Sequence, residues 1–129
     1  MSLQNNIAID GHSSCGKGTL AKFLSKSLGM HTLDTGAMYR AVTYGIKDQN
    51  IELDDIDAIK TFLKSSWLDM KMKSDKLEIL YKGQDISNEI RLPGISNLVS
   101  QVSEIKEMQF VLLYHLHSFL NLLVFLNIF

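Results

Sequence analysis

A run of residues close to the start of the chain has the types and the spacing to hold a polyphosphate. Gly11-His12-Ser13-Ser14-Cys15-Gly16-Lys17-Gly18-Thr19 fits G-x-x-x-x-G-K, with Gly18-Thr19 in place of an immediate Ser or Thr. Glycines let the backbone turn so that successive N–H groups converge on one concave anion site. A helix that opens near Lys17 adds the positive end of its dipole. Lys17 brings a mobile positive charge for β- and γ-phosphates, and Thr19 offers a hydroxyl to phosphate or to magnesium-bound water. Cys15 invites redox chemistry, since a helix N-terminus lowers a thiol pKa. The simpler reading is that the turn needs a small side chain there. His12 reads as a loop residue with no chemical duty of its own.

The flanking sequence supplies the elements such a loop needs. Ile7-Ala8-Ile9 is a short apolar run ending at Asp10-Gly11, the pattern of a buried strand entering a loop. Leu20, Phe23, Leu24 and Leu28 then recur at helical spacing, and Gly29 stands where a C-cap glycine belongs. His31-Thr32-Leu33 leads as a second strand into Asp34-Thr35-Gly36, a natural N-cap turn for the next helix. That helix puts Met38, Val42 and Ile46 on one face. Asp54 is the expected N-cap of a third helix, striped by Ile56, Ile59 and Leu63. The period then changes to two. Leu68, Met70 and Met72 alternate before the KSDK turn, and Leu77, Ile79 and Tyr81 alternate after it, which predicts a hairpin with one apolar face. Gly83 allows a further turn, Pro93-Gly94 breaks the chain, and Ile95, Leu98, Val99, Val102 and Ile105 mark another helix.

Composition narrows the function classes. The sequence has 129 residues, 46% of them hydrophobic and 21% charged, with a net charge of −1. That is one globular domain with no general attraction for nucleic acid or anionic lipid, so phosphate must be bound by a local site. Cys15 is the single cysteine, which excludes an intrachain disulfide and fits a reducing compartment. The first residues lack a basic n-region and a secretory apolar run, so the cytoplasm is the expected location. Strand, loop, helix, strand, helix and then a small β element predict an α/β fold with an inserted hairpin module. Only two candidates for central strands can be counted, and the sheet is expected to be incomplete at the C-terminus.

Four segments together carry a family resemblance. IAIDGHSSCGKGTLAKFLSKSLG, LDTGAMYRAVT, GQDISNEIR and ISNLVSQVS follow one another as in bacterial cytidylate kinases, P-loop enzymes of the nucleoside monophosphate kinase class. The resemblance covers roughly residues 6–105. Gly-Lys-Gly-Thr is shared across that class, whereas Leu33 to Arg40 and Asp85 to Arg91 are more specific. His12 and Ser14 depart from the commoner Pro and Gly of the family loop, at positions that need no side-chain donor. The resemblance implies a P-loop kinase-type parallel sheet with flanking helices and an activity moving the γ-phosphate of ATP to CMP or dCMP with Mg2+. By the same resemblance Gly11 to Thr19 hold ATP, Thr35 and Arg40 contact CMP, Asp34 lies near the transferring phosphate, and Ser100 contacts the cytosine or its surroundings. A guanidinium pairs bidentately with phosphate, which makes the role of Arg40 physically sensible. The hairpin belongs to the enlarged monophosphate-binding module. The chain is expected to be a monomer that binds ATP and CMP or dCMP, with no nucleic acid and no membrane partner.

Residues 110–129 break the pattern. FVLLYHLHSFLNLLVFLNIF has fifteen apolar residues in twenty and no charge. The expected division is therefore a partial kinase domain over 1–109 and an apolar tail over 110–129. The tail is open to three readings: a shifted or prematurely ended reading frame, a buried helix replacing lost core, or a membrane segment. Asn121, Asn127, His115 and His117 weigh against the membrane, and no Lys/Arg cluster sets an orientation. His115 and His117 stand at i and i+2, which a helix does not bring together, so no metal site is expected there. The family continues into an Asp-Gly-Arg-Asp segment and an arginine-bearing lid that this sequence lacks, and Gln109 stands about where a phosphate-binding arginine belongs. Impaired transfer is the expectation, because one arginine at such a site can be worth on the order of 10³ in rate. Two alternatives remain: a nucleotide-binding, non-catalytic fragment, and another P-loop small-molecule kinase such as an adenylate or shikimate kinase.

Overall fold

A computed structural model describes residues 7–10, 15–65, 67–73, 76–108 and 123–127 of the chain. It divides into two compact units, Met1–Gly36 with Leu113–Phe129, and Ala37–Leu112. The fold is mixed α/β, with one three-stranded sheet in each unit.

In the first unit β1 (Ala8–Asp10) leads to helix α1 (Lys17–Leu28) and then to β2 (His31–Asp34). Helix α1 stops where the sequence says it should. Gly29 takes a left-handed φ of 63°, and its N–H and that of Met30 both bond the Ser25 carbonyl. The apolar stripe of α1 behaves differently from its pattern. Ala21 is its buried apolar residue and packs with Ile9, with Ile7, Leu24 and Met30 closing round them, while Phe23 is 66% exposed and Leu20 and Leu28 are open to solvent. A helix lying on a three-stranded sheet covers only one narrow face, and small Ala21 sits at the close approach.

Neither β1 nor β2 pairs with the other. The strand between them is β6 (Leu123–Asn127), parallel to both, giving the order β1-β6-β2. The register sets Ala8 opposite Phe125 and Asp10 opposite Asn127 on one side, and His31 opposite Leu123 and Asp34 opposite Leu126 on the other. A third parallel strand thus comes from the apolar tail, and over these residues the backbone is a strand, not a helix. A continuous uncharged run is the pattern of a parallel strand covered on both faces, and periodicity cannot distinguish it from a buried helix. His115, His117 and Asn121 lie outside the described residues. Among the described residues no helix is long and apolar enough to cross a membrane.

The second unit is built on α2 (Thr35–Asp48) and α3 (Ile56–Lys64), followed by β3 (Leu68–Lys73), β4 (Lys76–Tyr81) and β5 (Gln84–Asp85). Met38, Val42 and Ile46 are buried along α2, as their spacing predicts, and Ile59 and Leu63 along α3. The N-cap of α3 is Asp55 and not Asp54. Its carboxylate accepts the Ala58 N–H at 3.1 Å, three residues on, while the Asp54 carbonyl takes up the Ile56 N–H. The hairpin register pairs Leu68 with Tyr81, Met70 with Ile79 and Met72 with Leu77, so the alternating apolar positions stand opposite one another across the ladder. Lys82 and Gly83 both take positive φ, the combination a two-residue type I′ turn needs between β4 and β5. After a 3-10 turn at Glu89–Arg91, Pro93 starts α4 (Pro93–Ser103) at a position where a missing N–H costs nothing. Ile95 and Val102 are its buried residues, while Ile105 lies beyond its end.

Two contacts tie this unit together. Gly45 lets α2 approach α3 so closely that a Cβ there would meet the Phe62 ring at 2.2 Å. The Tyr81 hydroxyl donates to Asp48 Oδ2 and accepts from Gln49 Nε2, both at 2.8 Å, while its ring stands edge-on to Tyr44. Replacing Gly45 by alanine should therefore overpack the interface and cost about 1–3 kcal/mol, read as a lowered Tm. Burial, chiefly, raises the Tyr81 pKa above the ordinary tyrosine value of 10.0. The fold thus favours the neutral phenol. Its stabilisation is complete below about pH 10 and lost as pH rises through the folded-state pKa. Tyr81→Phe should be less stable than wild type at pH 8 in urea, with the gap closing towards pH 11.

Candidate nucleotide site

Three of the residues singled out from sequence, Lys17, Asp34 and Thr35, stand at or after the carboxyl ends of β1 and β2. β1 ends at Asp10; Gly11, His12, Ser13 and Ser14 lie outside the described residues, and the chain re-enters at Cys15, which is exposed as a free thiol. Gly16 caps α1 in the left-handed region, at φ 91° and ψ 7°, which a non-glycine residue rarely adopts. Its carbonyl accepts the Leu20 N–H at 3.0 Å, so the helix is already formed at Lys17. Lys17 is the first helical residue and is only 8% exposed, whereas Gly18 and Thr19 face solvent. No acidic residue occupies the first turn, and no side chain caps it. The first turn therefore adds no negative charge of its own to the positive helix end.

Asp34, half-buried, closes β2, and Thr35 opens α2 directly after it. Arg40 lies further along that helix and belongs to the second unit. Its side chain is half-buried and forms no ion pair among the described residues. Ser100 is an exposed residue of α4, whose carbonyl accepts from the Ser103 hydroxyl at 2.8 Å. Lys17, Asp34 and Thr35 thus share the first unit, while Arg40 and Ser100 share the second. A groove of about 490 Å³ in the second unit, lined by Tyr44, Lys47, Asp48, Glu89, Leu92, Gly94 and Ile95, contains none of the residues singled out from sequence.

Comparison with known proteins identifies the family. Residues 7–123 match the family model for cytidylate kinase. The chain belongs to the cytidylate kinase family. A cytidylate kinase of Ligilactobacillus salivarius is 45% identical over 97 residues, which are 75% of this chain and 43% of the relative. That of Caldanaerobacter subterraneus is 42% identical over 112 residues, 87% of this chain and 48% of the relative. That of Caldicellulosiruptor saccharolyticus is 38% identical over 104 residues, 81% and 46% respectively. The chain spans about half the length of the curated relatives it matches.

The conformation of Gly16 sets a test of the cradle. A Cβ there would meet nothing within 4 Å, so the cost of a side chain is purely one of backbone strain. Gly16→Ala and Gly16→Ser should each destabilise by about 1–3 kcal/mol, and to a similar extent, in urea unfolding. A cost rising with side-chain size would point to a steric clash instead.

Proposed function

We propose that the chain carries the phosphate-donor end and the monophosphate-binding module of an enzyme that transfers the γ-phosphate of ATP to CMP or dCMP. The observation that carries this is the opening of α1: a buried lysine directly after a left-handed glycine, in a first helical turn without an acidic residue, in a chain of the cytidylate kinase family. The P-loop kinase-type parallel sheet is part of the same proposal, and the parallel pairing of β1, β6 and β2 supports it.

In this reading the loop amides from Gly11 to Thr19 grip the ATP phosphates, and Lys17 neutralises charge on the β- and γ-groups. An oxygen of the CMP phosphate attacks the γ-phosphorus, and the bond to the β–γ bridging oxygen breaks, leaving ADP and CDP. The attacking oxygen is already anionic, so no base has to remove a proton. What the protein must supply is alignment and positive charge. Arg40, half-buried with no ion pair among the described residues, is the guanidinium suited to the acceptor phosphate. Thr35 would add a hydroxyl near the nucleotide, Ser100 a contact at the base, and Asp34 a carboxylate beside the transferring group.

The donor set also bears on magnesium. No group of three or more His, Cys, Asp or Glu among the described residues is arranged to hold a metal. Mg2+ arrives with nucleotide phosphates and keeps several waters, so it needs only one or two oxygen donors from protein. Thr19 and Asp34 are of that type. When bound, the ion offsets phosphate charge.

Arg40 and Arg91 are the only arginines of the sequence, and transfer by this chain should be slow for want of positive charge around the phosphoryl group. Purified chain should be stabilised against heat by ATP, and Lys17→Met should raise the ATP Kd at least about tenfold while leaving the fold intact. CMP-dependent turnover should fall about 10³-fold or more below that of the Ligilactobacillus salivarius enzyme in a coupled assay. Equal turnover would overturn the impairment. Turnover with AMP or shikimate but not CMP would overturn the substrate.

A further inference from the structure

Helix α1, KGTLAKFLSKSL, carries three lysines and no acidic residue. Lys17 is buried, while Lys22 and Lys26 are exposed about one helical turn apart. Beside them Phe23 is 66% exposed, and Leu20, three residues earlier on the same face, is also open to solvent. Neither exposed lysine forms an ion pair among the described residues. The second unit offers the complement. Glu52, Asp54, Asp55 and Asp57 are exposed carboxylates close together in sequence, with Leu53 and Ile56 half-buried among them. A turn closed by the Asp55 N–H on the Glu52 carbonyl, at 3.1 Å, gathers them. Asp55 is engaged in capping α3, whereas Glu52, Asp54 and Asp57 form no ion pair among the described residues.

We propose that the face of α1 formed by Leu20, Lys22, Phe23 and Lys26 docks on the 52–57 segment of a second copy of this chain. The monomer expected from sequence gives way here to association through two unlike surfaces, both of which every copy carries. Charge complementarity selects the occupant: two ammonium groups without ion pairs face carboxylates in the same state. A lipid surface would satisfy the lysines alone, whereas a second copy satisfies both surfaces. Exposed ion pairs contribute little affinity by themselves. Phe23, set against Leu53 and Ile56, supplies the apolar centre of the contact, and the charges fix its partner and orientation. Such a contact is weak and forms as concentration rises. It does not depend on the nucleotide reading above.

Sedimentation velocity of the full chain tests this. The mean mass of wild type should rise above that of a monomer with concentration, and fall back as salt is added. Lys22→Glu with Lys26→Glu should weaken association at least about tenfold, and so should Glu52→Lys with Asp54→Lys, because each sets like charges face to face. All four side chains are exposed, so circular dichroism and Tm should stay close to wild type. Mixing the two double variants is the decisive arm. Facing charges are then opposite once more, and the mixture should associate although neither variant does so alone. Phe23→Ala should weaken association about tenfold through loss of its apolar centre. If the mixture stays monomeric, or if both double variants associate like wild type, the proposed contact is wrong. If wild type keeps the mass of a monomer at every concentration, or does so while floating with vesicles of anionic phospholipid, the second copy is excluded as the occupant.

Discussion

The ladder that β6 forms with its two neighbours holds the sheet of the first unit together. β1 is three residues long and β2 four, and each hydrogen-bonds only to β6 among the described strands. A three-residue strand offers too few backbone bonds to stay ordered by itself. Lys17 begins its helix a short distance after β1, and Asp34 ends β2 immediately before α2. The carboxyl ends of β1 and β2 are therefore held two strand widths apart, with β6 as the filling. A shift of β6 by one residue would reverse its faces and displace Asn127 from Asp10.

The second unit rests on a different principle, dense side-chain packing. Phe62 occupies the space that a side chain on Gly45 would need, and meets Trp67 edge-on with ring centroids 5.9 Å apart. Lys82 reaches over the Trp67 ring at 4.9 Å and approaches Asp48 at 3.8 Å, and the same Asp48 accepts from Tyr81. The exposed ion pair alone contributes little. Its value lies in joining the hairpin turn to the end of α2 along with the buried phenol. Every buried side-chain polar atom among the described residues has a partner, so this module needs no ligand to satisfy its interior.

Local pattern made much of this legible from sequence. The apolar faces of α2 and α3, the hairpin with its register and the αL stop at Gly29 follow from spacing and residue type, because each is decided within a few residues. The strand before the loop motif and the helix after it were legible too. Three features were not. Asp54 and Asp55 are equivalent caps in sequence, and only the helix start distinguishes them. The stripe on α1 shows what the helix could bury and not what it finds to bury against, which is why Phe23 stays in solvent. The strand in the tail was hidden most deeply, because a uniformly apolar run fits helix and buried strand alike, and a pairing that joins the two ends of the chain leaves no local trace.

Binding and transfer make different demands on such a structure. Gripping a triphosphate requires converging amides, one cation and a helix end, all of which a short stretch of chain can offer from a single sheet edge. Transfer requires positive charge on several sides of a phosphoryl group at once, and exclusion of water while it moves. A sequence with two arginines, covering about half the length of the relatives it matches, meets the first demand far more readily than the second. On the proposed reading, Lys17 is the residue on which the first demand falls most heavily.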